Sequence, residues 1–376
     1  MARNTADVVV AGGGIVGLSA ACALAKRGVR CVVFDRGRCG REASFAAGGI
    51  LAPQAESLPG SPLLPLALHA RDRHIALAEE LFGLTGISVE HHRYGVLSLA
   101  FSAADVAGLR HVTEAQRKIG LRAEMVSRDG IPRLEAAAHP DAVGAALFPD
   151  DHRVDNRRLL KALKTLAASR GVLIQEYSAL RGIDVKDGRL EAVRTDSERV
   201  QTRTLINALG AWAGQLDGDP EAPPVRPVKG HMLSLVEGPS MRHVVYGGHG
   251  YVVPRADGRL IVGSTMEEAG FDTRVTAEGV AHLIGIAFSI APRTKKASIA
   301  ETWTGLRPAT PDGLPVIGEG GVAGLIVAGG LFRNGILLGP LVGEIAAALA
   351  MDEAPTLDLS AFRPDRFRTA TRSAPS

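Results

Sequence analysis

The chain has 376 residues, 46% of them apolar and 22% charged, with a formal net charge of +3. Such a length exceeds one ordinary domain and such a composition builds an ample core, so two intimately connected lobes of a soluble globular protein are expected. Basic residues spread along the chain give no case for nucleic acid, and the three cysteines, Cys22, Cys31 and Cys39, fit neither a disulfide framework nor a metal site.

A reducing cytoplasm is the setting this cysteine usage implies. The apolar stretch 8–25 follows Asp7 and is interrupted by glycines, which argues against a signal peptide. Residues 335–351 are broken by Pro340 and Glu344 and read as a buried helix, with no membrane span.

Taken in order, Val8, Val9 and Val10 read as a buried parallel strand, residues 12–17 as a glycine turn, and the Ala/Leu run to Gly28 as a helix with a glycine stop. The turn carries G-x-G-x-x-G at Gly12, Gly14 and Gly17. Missing Cβ atoms there permit a tight turn, close approach of backbone to a pyrophosphate, and close helix-to-strand packing. Free N–H groups at the helix start, where Ile15 and Val16 stand, favour the anionic phosphates. Residues 29–34 supply a second strand. Asp35 ends it roughly 20 residues beyond the glycines, where a carboxylate accepts the adenosine ribose hydroxyls and repels the extra phosphate of NADP.

Residues 36–53, from Arg36 through Ala43, Ser44, Gly48, Gly49 and Ile50 to Pro53, carry many small side chains. A backbone so dressed can lie flat against a large planar ligand, which a flavin enzyme needs and a nicotinamide enzyme does not.

The turn, Asp35 and the run 41–53 resemble the FAD-binding region of the D-amino acid oxidase superfamily, in particular its glycine oxidase branch associated with thiamine biosynthesis. The resemblance continues in the same order along nearly the whole chain. It implies an α/β fold: an FAD-binding Rossmann-like domain of the glutathione-reductase type, from residues 1–88, 142–216 and 300–376, with an α+β antiparallel-sheet substrate domain from 89–141 and 217–299. It also implies FAD as cofactor, held by the residues just named.

Residues 65–81 alternate at helical spacing, with Arg71, Arg73, Glu79 and Glu80 on an expected exposed face and His69 and His74 in structural roles. Residues 90–100 read as strands, and 102–119 as a helix capped by Ser102. The helix 156–170 is capped by Asp155 or Asn156, 172–176 is a strand, and 180–193 is a hairpin turning at Lys186-Asp187-Gly188. By the resemblance, the backbone near Leu180 contacts the adenine, and the strand that runs into Gly210 closes over the nucleotide.

Strand alternation at 225–235, 244–246, 250–255 and 259–264 predicts an antiparallel sheet roofing one face of the flavin. His249 and Tyr251, two apart, share a face if their strand is regular, and the resemblance implies that they and Met266 line the substrate pocket. Arg307 precedes Pro308, so its backbone is extended, and a guanidinium fixed there can meet a carboxylate with two parallel hydrogen bonds. Gly305-Leu306-Arg307-Pro308 resembles the segment with which the family grips the substrate carboxylate. Related sarcosine oxidases attach their flavin through a cysteine just after it. Here Ala309-Thr310 follow, so non-covalent FAD is expected.

The last core strand enters the last helix across 325–340, past Leu331 and Phe332. Backbone N–H groups of Asn334, Gly335, Ile336 and Leu337 can aim at the flavin pyrimidine, where negative charge gathers on reduction. Arg333 is either a second substrate-side charge or a partner of the flavin, and the residues after Asp365 read as a loose tail.

The expected activity is oxidative deamination of glycine or another small amino acid, such as sarcosine or a small D-amino acid. Molecular oxygen would take the electrons as hydrogen peroxide, and the imine could serve thiazole synthesis. No acid or base is obligatory when the amine arrives neutral, and His249 is the candidate if one acts. The rivals are a D-amino acid dehydrogenase with a non-oxygen acceptor and a non-catalytic nucleotide-binding module. The resemblance also implies a homo-oligomer.

Overall fold

The computed structural model of the chain describes residues 5–57 and 59–368. Val8–Ala11 lies inside a six-stranded sheet ordered Val316–Glu319, Leu325–Gly329, Leu205–Asn207, Val8–Ala11, Cys31–Phe34 and Leu173–Gln175. Every pair in it is parallel except the first. Covered on both faces, its central strands are continuous apolar runs.

Ile15–Lys26 packs against the last helix, Gly335–Leu349, at very short range: a Cβ on Gly339 would stand 2.5 Å from Ile15, and one on Gly343 2.6 Å from Ser19. Pro340 inside the last helix leaves the Ile336 carbonyl without its usual donor. His74, from Leu63–Thr85, supplies one, its Nε2 lying 3.0 Å from the Ile336 oxygen and 3.1 Å from that of Leu337. Two carbonyl partners assign the ring proton to Nε2, and burial pushes the imidazole pKa down to about 4. His74 is thus structural, while His69 is exposed.

The charged face expected on that helix is corrected at Arg71, which is buried and donates to Gln54 Oε1 at 3.2 Å. Arg73 is half-buried against Glu344 of the last helix, and Glu79 remains exposed.

The second large sheet has eight strands, ordered Ser298–Ala309, Arg226–Val236, Leu260–Gly263, Gly250–Pro254, Val244–Gly247, Val96–Ala100, Gly144–Phe148 and Glu124–Ser127. It is antiparallel except where Val244–Gly247 runs parallel to Val96–Ala100. Within 90–100 there is one strand; the residues before it form a loop that bridges at His92 to Arg153. Two of the eight strands, Gly144–Phe148 and all but the first two residues of Ser298–Ala309, come from segments expected in the FAD lobe.

The predicted hairpin, Leu180–Lys186 with Arg189–Thr195, gains a third strand, Arg199–Gln201. Asp187 and Gly188 have φ of 51° and 73°, the pair of positive values that a two-residue hairpin turn demands. Ser102 forms a capping box with Asp105. Asp155, not Asn156, caps Asn156–Ser169 by accepting from Arg158 N at 2.9 Å. Past Asp365 the chain is tied down, since Arg366 holds Asp312 at 2.8 Å; residues 369–376 of the expected tail lie outside the described residues.

Candidate active site

A long cleft opens where the two large sheets meet, with the glycine turn at one end and Arg307 at the other. Gly12, at φ +97°, could carry no side chain, because a Cβ would stand 2.4 Å from the Ala208 oxygen. A Cβ on Gly17 would stand 1.9 Å from the Gly12 oxygen, so Gly17 serves helix-to-strand packing and does not itself line the cleft. Gly14, Ile15 and Val16 do line it. The Ile15 N–H donates to Ser44 Oγ at 3.1 Å.

Asp35 accepts from the N–H groups of Gly13 and Gly37, both at 2.8 Å, through different carboxylate oxygens. Each oxygen keeps a second lone pair. Burial raises the Asp35 pKa above the usual carboxylate value, against the pull of those two donors. Beside it the Arg36 guanidinium stacks 3.4 Å above the Trp212 ring and pairs with Glu42 at 2.5 Å. Leu180 and Gly210 complete this end.

The small-residue segment is a short helix, Ala43–Ala46, leading into backbone that is extended at Ala47 and turns left-handed at Gly49, where φ is +74° and a Cβ would stand 2.2 Å from the Val154 oxygen. Asn156 Nδ2 donates to the Ser44 and Phe45 carbonyls at 2.8 and 3.0 Å. Arg255 fixes the extended stretch, donating to Gly48 O at 2.9 Å, Val154 O at 3.0 Å and Asn156 Oδ1 at 3.0 Å. Burial pushes this guanidinium down to about 10. Ala43, Ser44, Gly48, Gly49 and Ile50 all face the cleft.

Leu331, Phe332, Arg333, Gly335 and Ile336 line the opposite wall; Asn334 and Leu337 do not. The Asn334 N–H is already committed to the Leu331 oxygen at 2.8 Å, which corrects the expectation that it aims at a ligand. The N–H groups of Gly335, Ile336 and Leu337 have no backbone acceptor among the described residues.

Arg307 lies in the strand Ser298–Ala309, not in a loop, with Pro308 opposite Pro227. This strand is the sheet's edge, where a missing N–H is tolerated. The guanidinium donates to Thr265 O at 3.1 Å and Ser264 Oγ at 2.6 Å, leaving further N–H groups for a ligand. Tyr251 shares the space; a Cβ on Gly263 would stand 2.6 Å from its ring. Tyr251, Ser264, Arg307 and Arg333 also border a second, outer cavity that contains His249 and Met266. His249 stands in the two-residue turn before Gly250–Pro254, so the shared-face argument with Tyr251 does not apply. It and Met266 are exposed, at the vestibule and away from the inner cleft.

Sequence reasoning missed Glu56, Tyr246, Trp212, Gly230 and Arg255. Glycines inside strand patterns, such as Gly230 and Gly263, are the signal of a close neighbour that would have found two of the contacts. Among the described residues there is no metal-ligand cluster, and no helix is long and apolar enough to cross a membrane.

The residues present fit an extended dinucleotide: a Cβ-free turn, a carboxylate with spare lone pairs, and a flat wall of small residues facing unpaired N–H groups. Comparison with known proteins agrees. Residues 7–349 match the family model described as DAO, FAD dependent oxidoreductase. The chain is 36% identical over 363 residues to the glycine oxidase of Geobacillus kaustophilus, covering 95% of this chain and 96% of that one. The crystal structure of glycine oxidase from Geobacillus kaustophilus superposes with a TM-score of 0.93 at 34% identity, over 97% of this chain and 99% of the other. The bifunctional protein ThiO/ThiG of Synechocystis is also 36% identical over 98% of this chain, which spans only 55% of that longer protein. The chain belongs to the DAO family of FAD-dependent oxidoreductases.

Proposed function

We propose that the chain is an amino acid oxidase of the glycine oxidase type, acting on glycine or another small amino acid such as sarcosine or a small D-amino acid. The observation that carries this reading is Arg307, a largely buried guanidinium with spare donors where the cleft meets the vestibule. It would take the substrate carboxylate bidentately and fix the Cα hydrogen, so that positioning supplies much of the rate. FAD held in the cleft would supply the two-electron acceptor that oxidation of the Cα–N bond requires, with molecular oxygen as the final oxidant and hydrogen peroxide as its product. The imino acid then hydrolyses to the oxo acid or is diverted to thiazole synthesis, a use suggested by the ThiO/ThiG relative.

Tyr251 would pack against the bound substrate, and Asp35 would hold the ribose. Gly14, Ile15 and Val16 would hold the pyrophosphate, and Gly335 and Ile336 the flavin. FAD would be non-covalent, because among the described residues no thiol lines the cleft, and Cys39 sits behind the glycine turn beside Gly13. The eight-stranded sheet would form the substrate lobe, the setting would be the cytoplasm, and the assembly a homo-oligomer. An oxygen electrode with glycine and D-alanine tests the reading. Oxygen uptake with peroxide formation supports it; amino-acid-dependent reduction of an added quinone without oxygen uptake would instead mark a dehydrogenase.

A further inference from the structure

Arg307 and Arg333 both border the junction between the inner cleft and the vestibule. Two guanidinium groups on one small cavity would ordinarily suit a substrate with two carboxylates. Glu56 alters that balance. It ends the short helix Pro53–Glu56, lines the cleft, accepts the hydroxyl hydrogen of Tyr246, and lies 3.6 Å from Arg333. Its side chain is only 13% exposed.

The position of Glu56 is built. Asp151, fully buried, accepts from the N–H groups of Gln54 at 3.2 Å and Ala55 at 2.9 Å. The Gln54 side chain is itself held by Gln116 at 2.8 Å and by the Arg122 carbonyl at 2.9 Å. The carboxylate is therefore delivered to Arg333 by a rigid anchor. Glu56 beside it holds the Arg333 guanidinium above its ordinary pKa.

Resting on the functional reading above, we propose that Glu56 determines specificity: by neutralising Arg333 it leaves Arg307 as the free cation and restricts the site to substrates with a single carboxylate. A second carboxylate would have to displace Glu56 or stand beside it, and either arrangement costs desolvation or repulsion. The chemistry itself is the same for both substrate kinds. The Cα–N bond loses two hydrogens, which pass to oxygen as hydrogen peroxide, and water splits the imine into an amine and glyoxylate.

Sarcosine and N-carboxymethylglycine differ by one carboxylate and make the test. For the holoenzyme and for Glu56→Gln, which keeps a partner for Tyr246, the ratio of kcat/KM for N-carboxymethylglycine to that for sarcosine is measured. Acetate and malonate are titrated in parallel by their perturbation of flavin absorbance. The wild type is expected to favour sarcosine and acetate, and Glu56→Gln to raise the dicarboxylate-to-monocarboxylate ratio about tenfold in both assays. Adding Arg333→Leu should abolish the gain. A wild type that already favours malonate, or a ratio that does not move in Glu56→Gln, overturns the proposal. If that variant fails to hold FAD, the wild-type preference between acetate and malonate decides. Flavin in the wild type that neither sarcosine nor glycine reduces overturns the functional reading instead, and the two titrations still judge Glu56.

Discussion

The Arg307 guanidinium occupies the space that a side chain on Gly230 would fill: a Cβ there would stand 2.2 Å from Nη1. The two residues belong to adjacent antiparallel strands, and the arginine crosses over its neighbour to reach Thr265 and Ser264. Gly230→Ala must push the guanidinium off its seat while leaving its charge in place. We expect KM for glycine to rise about tenfold with a smaller change in kcat, and Arg307→Ala to raise KM by about a hundredfold. Unchanged KM in both would remove Arg307 from carboxylate binding.

Asp35 tests the nucleotide end. Asp35→Ala removes the acceptor for Gly13 and Gly37, and with it the spare lone pairs proposed to hold the ribose. FAD affinity, read by fluorescence on dilution of the holoenzyme, should fall by about tenfold or more. Equal affinity would place the ribose elsewhere.

Arg255 offers a stability test with a cofactor readout. Arg255→Met strands the Gly48 and Val154 carbonyls and Asn156 Oδ1 in a buried setting. The apoprotein should lose about 3–5 kcal/mol in denaturant unfolding, and Arg255→Lys should recover only part, because an ammonium cannot span three acceptors in a fixed fork. A fully stable Arg255→Met variant would show that the fork is dispensable.

His74 predicts an acid limb. Its folded pKa of about 4 lies below the value near 6.5 of an unfolded imidazole, so between those values the unfolded chain binds more protons. Stability contributed by the neutral ring is present above about 6.5 and is lost as pH falls toward about 4. Asp151, pushed up to about 8 by burial, slopes the other way, losing stability as pH rises from about 4 to 8. His74→Gln keeps an N–H for the Ile336 carbonyl and removes one titration, leaving Asp151 unopposed, so between pH 4 and 6.5 the change of unfolding free energy with rising pH should become less positive by up to about 1.4 kcal/mol per pH unit. An unchanged slope would mean the ring does not titrate as its burial dictates.

The glycine turn, Asp35 and the extended segment at Arg307 were legible from sequence because each rests on local backbone demands. A missing Cβ, a strand-end acid and a pre-proline residue carry their geometry with them. Glu56, Tyr246 and Arg255 were not legible, since their partners Arg333, Glu56 and Gly48 lie far along the chain and no spacing rule joins them. His249 and Tyr251 do border one cavity, but not by alternation along a strand: a two-residue turn separates His249 from the strand that carries Tyr251. Arg71 looked solvated because a helical period marks a charged face without revealing that Gln54 packs onto it.

The central claim is that FAD lies in the cleft with its reactive end beside an amino acid held by Arg307. Anaerobic mixing of the purified yellow protein with glycine or sarcosine tests it most directly. The flavin absorbance should bleach in wild type, return when oxygen is admitted, and bleach only at far higher substrate concentration in Arg307→Ala. Colourless protein that takes up no FAD, or flavin that no small amino acid reduces, would contradict it.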